Sequence, residues 1–285
     1  MLINSYATLL ELKNYMSPRG LSGASITTDT NDDSIMEVML QGISRWIDDQ
    51  THRTFYPRQE IRYFDLSSEQ TSAEILFLDD DLLSIDSMTN GDSSVITNTQ
   101  YVLYPKNAYP KQWVKLLGSS SVMWKASSAG DNESAISLTG LWGFHNNYTQ
   151  RGWSVAGTLG VAMTDTTTLT LTMTAGHTVV KDEIYKIDSE MLNVSNVSTN
   201  TVTMAARGDN GSTAATHLIN ATVYRWNPQP EIKAALLSIA QSVYGSRSGQ
   251  SSQGNVTVTQ AGVVIRPGDV SGMTQRTLSA FTRPL

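Results

Sequence analysis

The sequence predicts an α+β protein: N-terminal helices packed on a β-rich region, an inserted small all-β domain (barrel or sandwich), and a late helix followed by an extended C-terminal tail. Three observations lead there. Apolar residues recur at helical spacing near both ends of the chain, over 32–51 and again over 230–245. Between these stretches the spacing switches to two, as in half-buried strands. Composition also shifts near residue 150, and from Gly157 to Trp226 the chain is rich in Thr, Ser and Asn with almost no helix signal. The expected division is a core over 1–150, an inserted β domain over 151–226, and a late helix with a docking tail over 227–285. Of the 285 residues 40% are hydrophobic and only 16% charged, enough apolar material for one large core or two modest ones.

The elements follow in order. Thr8 and Glu11 form a T-x-x-E capping pair ahead of Leu9, Leu12 and Met16, and Ser17-Pro18 ends that helix. After a Gly/Ser/Thr loop, Thr30 to Asp33 resembles a second capping box. Ile35, Met39, Ile43, Trp46 and Ile47 then make one apolar stripe, ending near Thr51. Strand patterns follow around Ile61 and Tyr63, at 75–78, 101–104, 113–117 and 135–141, with a hairpin signal at Asn90-Gly91. The second β region alternates over TTTLTLTMT (166–174) and has further short strands at 183–187, 191–197, 201–205 and 221–224. Pro230 suits a first helical position, Ile232, Leu236, Ile239 and Val243 form the buried face, and Gly245 suits the end. Residues 246–255 read as a flexible linker. VTVTQAGVVIRP reads as one or two strands, and the last eighteen residues show no strong pattern.

Several chemistries are poorly supported. There is no cysteine, so disulfides and thiolate metal sites are excluded. The four histidines, His52, His145, His177 and His217, have no metal-ligand spacing and read as surface or hydrogen-bonded loop residues. G-x-S-x-G, Walker and G-x-G-x-x-G motifs are all missing. No catalytic, metal or cofactor-binding residue is assigned, and the chain reads as a non-enzyme. A net charge of −6 makes it a poor general binder of nucleic acid. The N-terminus lacks the pattern of a signal peptide, and no stretch has the length of a membrane span.

The segment LFLDDDLLSID (76–86) poses one question, because Asp79, Asp80 and Asp81 stand in a row. On a strand they would point alternately to opposite faces, so they cannot all converge on one ion without a sharp turn. Asp favours turns, and the turn reading fits best. Charge is also unevenly spread. Residues 60–92 hold nine acidic residues and one arginine, a balance of −8, whereas 227–285 carry +3. A basic tail beyond an acidic body suggests docking on a partner through Arg247, Arg266, Arg276 and Arg283.

In order and spacing, YATLLELKNYM, the loop, and DDSIMEVMLQGISRWIDDQTHRTFYPRQEIRYFD resemble the N-terminal half of tailed-phage head-to-tail connector proteins, also called adaptor or head-completion proteins. The matching positions are Glu11-Leu12-Lys13, Asp32-Asp33, Ile47-Asp48, Thr51, Arg53, Phe55 and Tyr56-Pro57. The likeness extends over about 1–145 and takes in the late helix after Pro230. Within the inserted region, MAARGDNGSTAATH (204–217) resembles an R-G-x-x-G-[ST]-x-A-x-x-H segment of small β modules in phage structural proteins.

The resemblance implies a virion protein at the head–tail interface, made in the host cytoplasm. It implies a homo-oligomeric, twelvefold ring that binds the portal protein and the next tail component (a stopper, tail or nozzle protein). DNA would pass through without specific binding, no membrane is involved, and Asp79, Asp80 and Asp81 would line the channel as a repulsive wall. The alternative is a carbohydrate-binding or carbohydrate-cleaving adhesin using Asp79–Asp81 and the aromatic residues of the first β region.

Overall fold

The computed structural model describes residues 2–17, 29–67, 70–72, 74–147, 149–247, 257–259, 262–264 and 270–283. Among the described residues the class is α+β, with two antiparallel six-stranded sheets, a two-stranded hairpin and four helices. The chain divides into two compact units. One comprises Met1–Arg53, Trp153–Asp209 and Thr213–Leu285; the other comprises Thr54–Gly152 and Asn210–Ser212. The units therefore follow packing rather than the compositional boundaries at 150 and 226. Helices from both ends of the chain belong with the second sheet, and the first sheet stands in a unit of its own.

In the larger unit, α1 (Leu9–Met16) begins with the expected capping box: Glu11 N–H donates to Thr8 Oγ1 at 3.2 Å, and Thr8 N–H to Glu11 Oε2 at 2.8 Å. Helix α2 (Asp33–Thr51) buries Met36, Met39, Leu40, Ile43 and Ile47, so the apolar face is turned by about one residue from the expected stripe. Ile35 and Trp46 are only half-buried. Ser44 is enclosed because it is used: its hydroxyl donates to Leu40 O at 2.7 Å and accepts Tyr6 N–H at 3.2 Å. Asp32 caps α2 without a side-chain bond to the first-turn amides and instead accepts Tyr244 OH at 2.8 Å, so the second capping box does not form.

The smaller unit holds β1 (Arg58–Phe64), β2 (Thr71–Ser72), β3 (Ile75–Thr89), β4 (Tyr101–Tyr104), β5 (Lys111–Leu116) and β6 (Ile136–Trp142). The strand order is β1-β6-β3-β5-β4, with β2 on β3. Its core gathers Phe64, Leu76, Leu82, Val114, Leu138 and Trp142. Asp79–Asp81 lie within β3 and not in a turn, which corrects the sequence reading. The pairing of β3 with β5 slips between Phe77 and Leu82, and this bulge carries the three aspartates.

Strands β7 (Trp153–Thr158), β8 (Thr170–Thr172), β9 (Ile184–Ile187), β10 (Glu190–Ser198), β11 (Thr201–Ala206) and β12 (Thr222–Trp226) follow, in the order β7-β12-β9-β10-β11-β8. The two edges meet. Leu159 bridges Met173, Gly160 N–H donates to Thr172 O at 2.8 Å, and Thr174 N–H donates to Thr158 O at 2.9 Å. Of the two expected forms, the sheet is thus a closed barrel, which leaves no unpaired edge. Leu159, Leu171, Met173, Ile187, Val194 and Val223 are among the residues that fill it.

Helix α3 (Pro230–Arg247) buries Ile232, Leu236, Ile239 and Val243 as expected, and it continues two residues past Gly245. The hairpin β13 (Thr257–Thr259) and β14 (Gly262–Val264) comes next. The C-terminal segment then forms a helix that the sequence reading did not anticipate, α4 (Gly272–Phe281), capped by Ser271, whose Oγ accepts Thr274 N–H at 3.2 Å. Its end is pinned to the end of α2: Arg53 Nε donates to Phe281 O at 2.6 Å, and Arg283 N–H donates to Thr51 O at 2.8 Å. A cavity of about 240 Å³ between α2 and α4, lined by Trp46, Val270 and Leu278, explains why Trp46 is not fully enclosed. The linker reading of 246–255 falls almost wholly outside the described residues.

Trp142 is the largest fully enclosed side chain. Trp142→Ala is expected to cost about 3–5 kcal/mol, as for other buried aromatics. Urea denaturation reads this directly, and an unchanged midpoint would contradict the assignment of Trp142 to the core.

Candidate functional site

Two carboxylate networks and the C-terminal arginines are the places where functional chemistry was expected or is found. The first network surrounds the aspartate run. On β1, Arg58, Glu60 and Arg62 share a face by strand alternation. Arg62 Nη1 donates to Asp79 Oδ1 at 2.9 Å and its Nη2 to Asp80 Oδ2 at 2.9 Å, while Arg58 Nη2 reaches Asp80 Oδ2 at 2.6 Å. Glu60 accepts from both arginines, at 3.0 Å from Arg58 Nη1 and 2.9 Å from Arg62 Nη2. The Arg62 guanidinium lies 4.5 Å above the Trp142 ring, a cation–π contact over the core. Burial alone would lower the Arg62 pKa, but Asp80 and Asp79 outweigh it and hold the group above its ordinary value.

This geometry assigns the run a structural role. Asp79 is exposed and Asp80 is half-buried against two guanidinium groups. Asp81 is fully enclosed, and its backbone carbonyl accepts Gly143 N–H at 2.8 Å. Asp81 therefore offers no carboxylate to a channel surface, which removes it from the expected acidic wall. No group of three or more His, Asp and Glu among the described residues is placed to hold a metal ion.

The second network lies in the barrel. Glu190, the first residue of β10, is enclosed and receives five donors. Arg207 Nε reaches Oε1 at 2.6 Å and Arg207 Nη2 reaches Oε2 at 2.9 Å. Gly208 N–H and Ala215 N–H each donate at 3.0 Å, and His217 Nε2 stands 2.7 Å from Oε2. His217 Nδ1 lies 2.9 Å from Asp188 Oδ2. Arg207 also donates to the carbonyls of Asp165, Thr168 and Ala215, which ties the 165–168 loop to the 207–217 segment. Burial pushes the Glu190 carboxyl up, but Arg207, Ala215 N–H, His217 and Gly208 N–H outweigh it and hold the pKa at about 2.

The R-G-x-x-G-[ST]-x-A-x-x-H segment thereby acquires a physical meaning. Arg207, Gly208, Ala215 and His217 are its contacts to one buried carboxylate. Sequence reading singled out the segment but missed Glu190, which lies 17 residues before Arg207 and carries no local motif of its own. It also missed Arg58 and Arg62 as partners of the aspartates, and it treated His217 as an ordinary loop histidine.

The four arginines assigned to docking fall differently. Arg276 is exposed on α4. Arg283 is half-buried beside the end of α2. Arg247 is the last residue of α3. Arg266 lies outside the described residues. Compared with protein-family models, curated proteins and solved structures, the chain matches none.

Glu190 sets an acid dependence. Its folded pKa of about 2 lies below the ordinary 4.5, so it adds stability above the ordinary value and loses that contribution as pH falls from about 4.5 toward 2. Glu190→Gln should flatten stability against pH across that window. At neutral pH it should cost about 3–5 kcal/mol, because Arg207 is left buried without its counter-charge. Chemical denaturation at a series of pH values measures both, and parallel curves for the two proteins would refute the assignment.

Proposed function

We propose that this chain is a structural virion protein that forms a homo-oligomeric ring, joins the portal to the next tail component, and continues the DNA channel. The observation that carries the reading is the meeting of chain ends in one helical layer. Helix α2 packs with α3, and α4 rests on both. The segments that resemble head-to-tail connectors, at the N-terminus and after Pro230, are thus neighbours in space and carry the C-terminal segment between them. The long-range ties from Arg53 to Phe281 and from Thr51 to Arg283 serve the same layer. In this reading Arg276, exposed on α4, contacts an acidic partner surface on the portal, together with Arg247, Arg266 and Arg283. Asp79 and Asp80 supply negative charge toward the channel, where clustered cations would retard DNA.

A second reading, a carbohydrate-binding adhesin, draws on one feature. Phe77, Trp113 and Tyr104 stand in register across β3, β5 and β4, and the Tyr104 and Trp113 rings are stacked at 5.8 Å. Phe77 is exposed. Such a row suits stacking on sugar rings or on an apolar protein surface. Binding on a glycan array that is lost with Trp113→Ala would favour the adhesin.

The connector reading is tested by co-sedimentation with portal rings. Arg276→Glu should weaken binding roughly tenfold or more, the equivalent of about 1.4 kcal/mol, without changing the melting temperature. Undiminished co-sedimentation would remove α4 from the docking surface, and a wild-type chain that never co-sediments would remove the connector reading itself.

A further inference from the structure

The barrel carries an apolar tip at one end of its strands and an apolar-floored groove at the other. At the tip, the 159–163 segment is zipped to 217–221 by four backbone hydrogen bonds. Met163 and His217 exchange N–H···O bonds at 2.8 and 2.9 Å, Leu159 N–H donates to Ala221 O at 3.0 Å, and Asn220 N–H donates to Leu159 O at 2.9 Å. This frame holds Val161, Leu218 and Ile219 out in solvent, at 56%, 80% and 55% exposure. Three aliphatic side chains exposed on a rigid frame, next to the enclosed His217, are costly to leave in water. The exposed carboxylate of Asp188, 2.9 Å from His217, stands beside them.

The groove lies between α1 and residues 180–183. It encloses about 420 Å³, and Leu9, Leu10 and Val180 supply its apolar floor. That volume is within the roughly 300–1,000 Å³ of sites that take small apolar groups. Its lining carries both signs, Glu11, Asp182 and Glu183 against Lys13, Lys181 and Arg225; Glu11 is engaged by Lys233 at 2.7 Å and Lys181 also lies 3.5 Å from Glu37. Lys181 and Arg225 are the more exposed members of their pairs, with Lys181 Nζ 3.5 Å from Asp182 and Arg225 Nη1 3.7 Å from Glu183, whose side chains are mostly enclosed.

Tip and groove lie toward opposite ends of β9 and β12. Asp188 follows β9 and Ala221 precedes β12, while Glu183 precedes β9 and Arg225 lies near the end of β12. Five residues of strand span about 16 Å, so a chain does not reach its own groove with its own tip. We propose that copies of this chain join head to tail, the Val161–Leu218–Ile219 tip of one copy seating in the Leu10–Val180 groove of the next, with Asp188 meeting Lys181 and Arg225. The contact rests on the ring reading above and specifies which surfaces build the ring. It is heterologous, and such contacts close into rings when the rotation between copies permits.

The test uses the absence of cysteine from the chain. Leu10→Cys and Leu218→Cys are made separately at exposed positions and mixed under mild oxidation, with Met123→Cys, on the other unit, as a control partner. A disulfide-linked dimer is expected from the Leu10→Cys and Leu218→Cys mixture, and none from either variant alone or from the Met123→Cys mixtures. Absence of the mixed dimer, or a Leu218→Cys homodimer at equal yield, overturns the contact. Sedimentation velocity of the wild-type chain separates this result from the ring reading. A closed ring without the mixed dimer keeps the ring and rejects these surfaces; the mixed dimer in a chain that sediments as open polymers keeps the surfaces and rejects the ring.

Discussion

A single enclosed carboxylate organises the barrel. Glu190 is removed from water, a placement tolerable only when its charge is matched. Five donors match it, and all five come from one stretch of eleven residues, 207–217. That stretch has no regular hydrogen-bond ladder, so the carboxylate acts as its template. Because Arg207 also holds the carbonyls of Asp165 and Thr168, two long loops close around one charge. The apolar tip at Leu218 and Ile219 begins where this clasp ends, at His217. A rigid tip therefore depends on a satisfied Glu190.

The other unit resolves its charges differently. The Asp79–Asp80 pair sits at the rim of its core, where Arg58 and Arg62 bridge the carboxylates and one guanidinium covers Trp142. Half-exposed ion pairs of this kind contribute little stability one by one. Their role is geometric: they hold the β3 bulge over the aromatic end of the core. Acidic residues placed this way still leave Asp79 in solvent, so structure and a repulsive outer surface are compatible uses of the same run.

What could be read in the sequence was what is decided locally. The Thr8–Glu11 capping box and the buried face of α3 form from residues three or four apart, and both stand as expected. Barrel strands were visible because each alternates by itself, although the contacts of 158–160 with 172–174 are what distinguish a barrel from a sandwich. The aspartate run was misread because Asp prefers turns when judged alone. Its tolerance within a strand comes from arginines 17 to 22 residues earlier. Glu190 was invisible for the same reason, since all its partners lie at least 17 residues away. Helix α4 escaped notice because it buries only Thr274 and Leu278, too short a pattern to show a period.

The clasp is most directly tested by amide hydrogen exchange on the full chain at neutral pH. If Glu190 templates the 207–217 segment, the Gly208 and Ala215 amides, which donate to it, should exchange as slowly as the strand amides of Val194 and Met204. Exchange of Gly208 and Ala215 at the rate of an exposed loop would contradict the account, because the segment would then be an open loop free to bind something else.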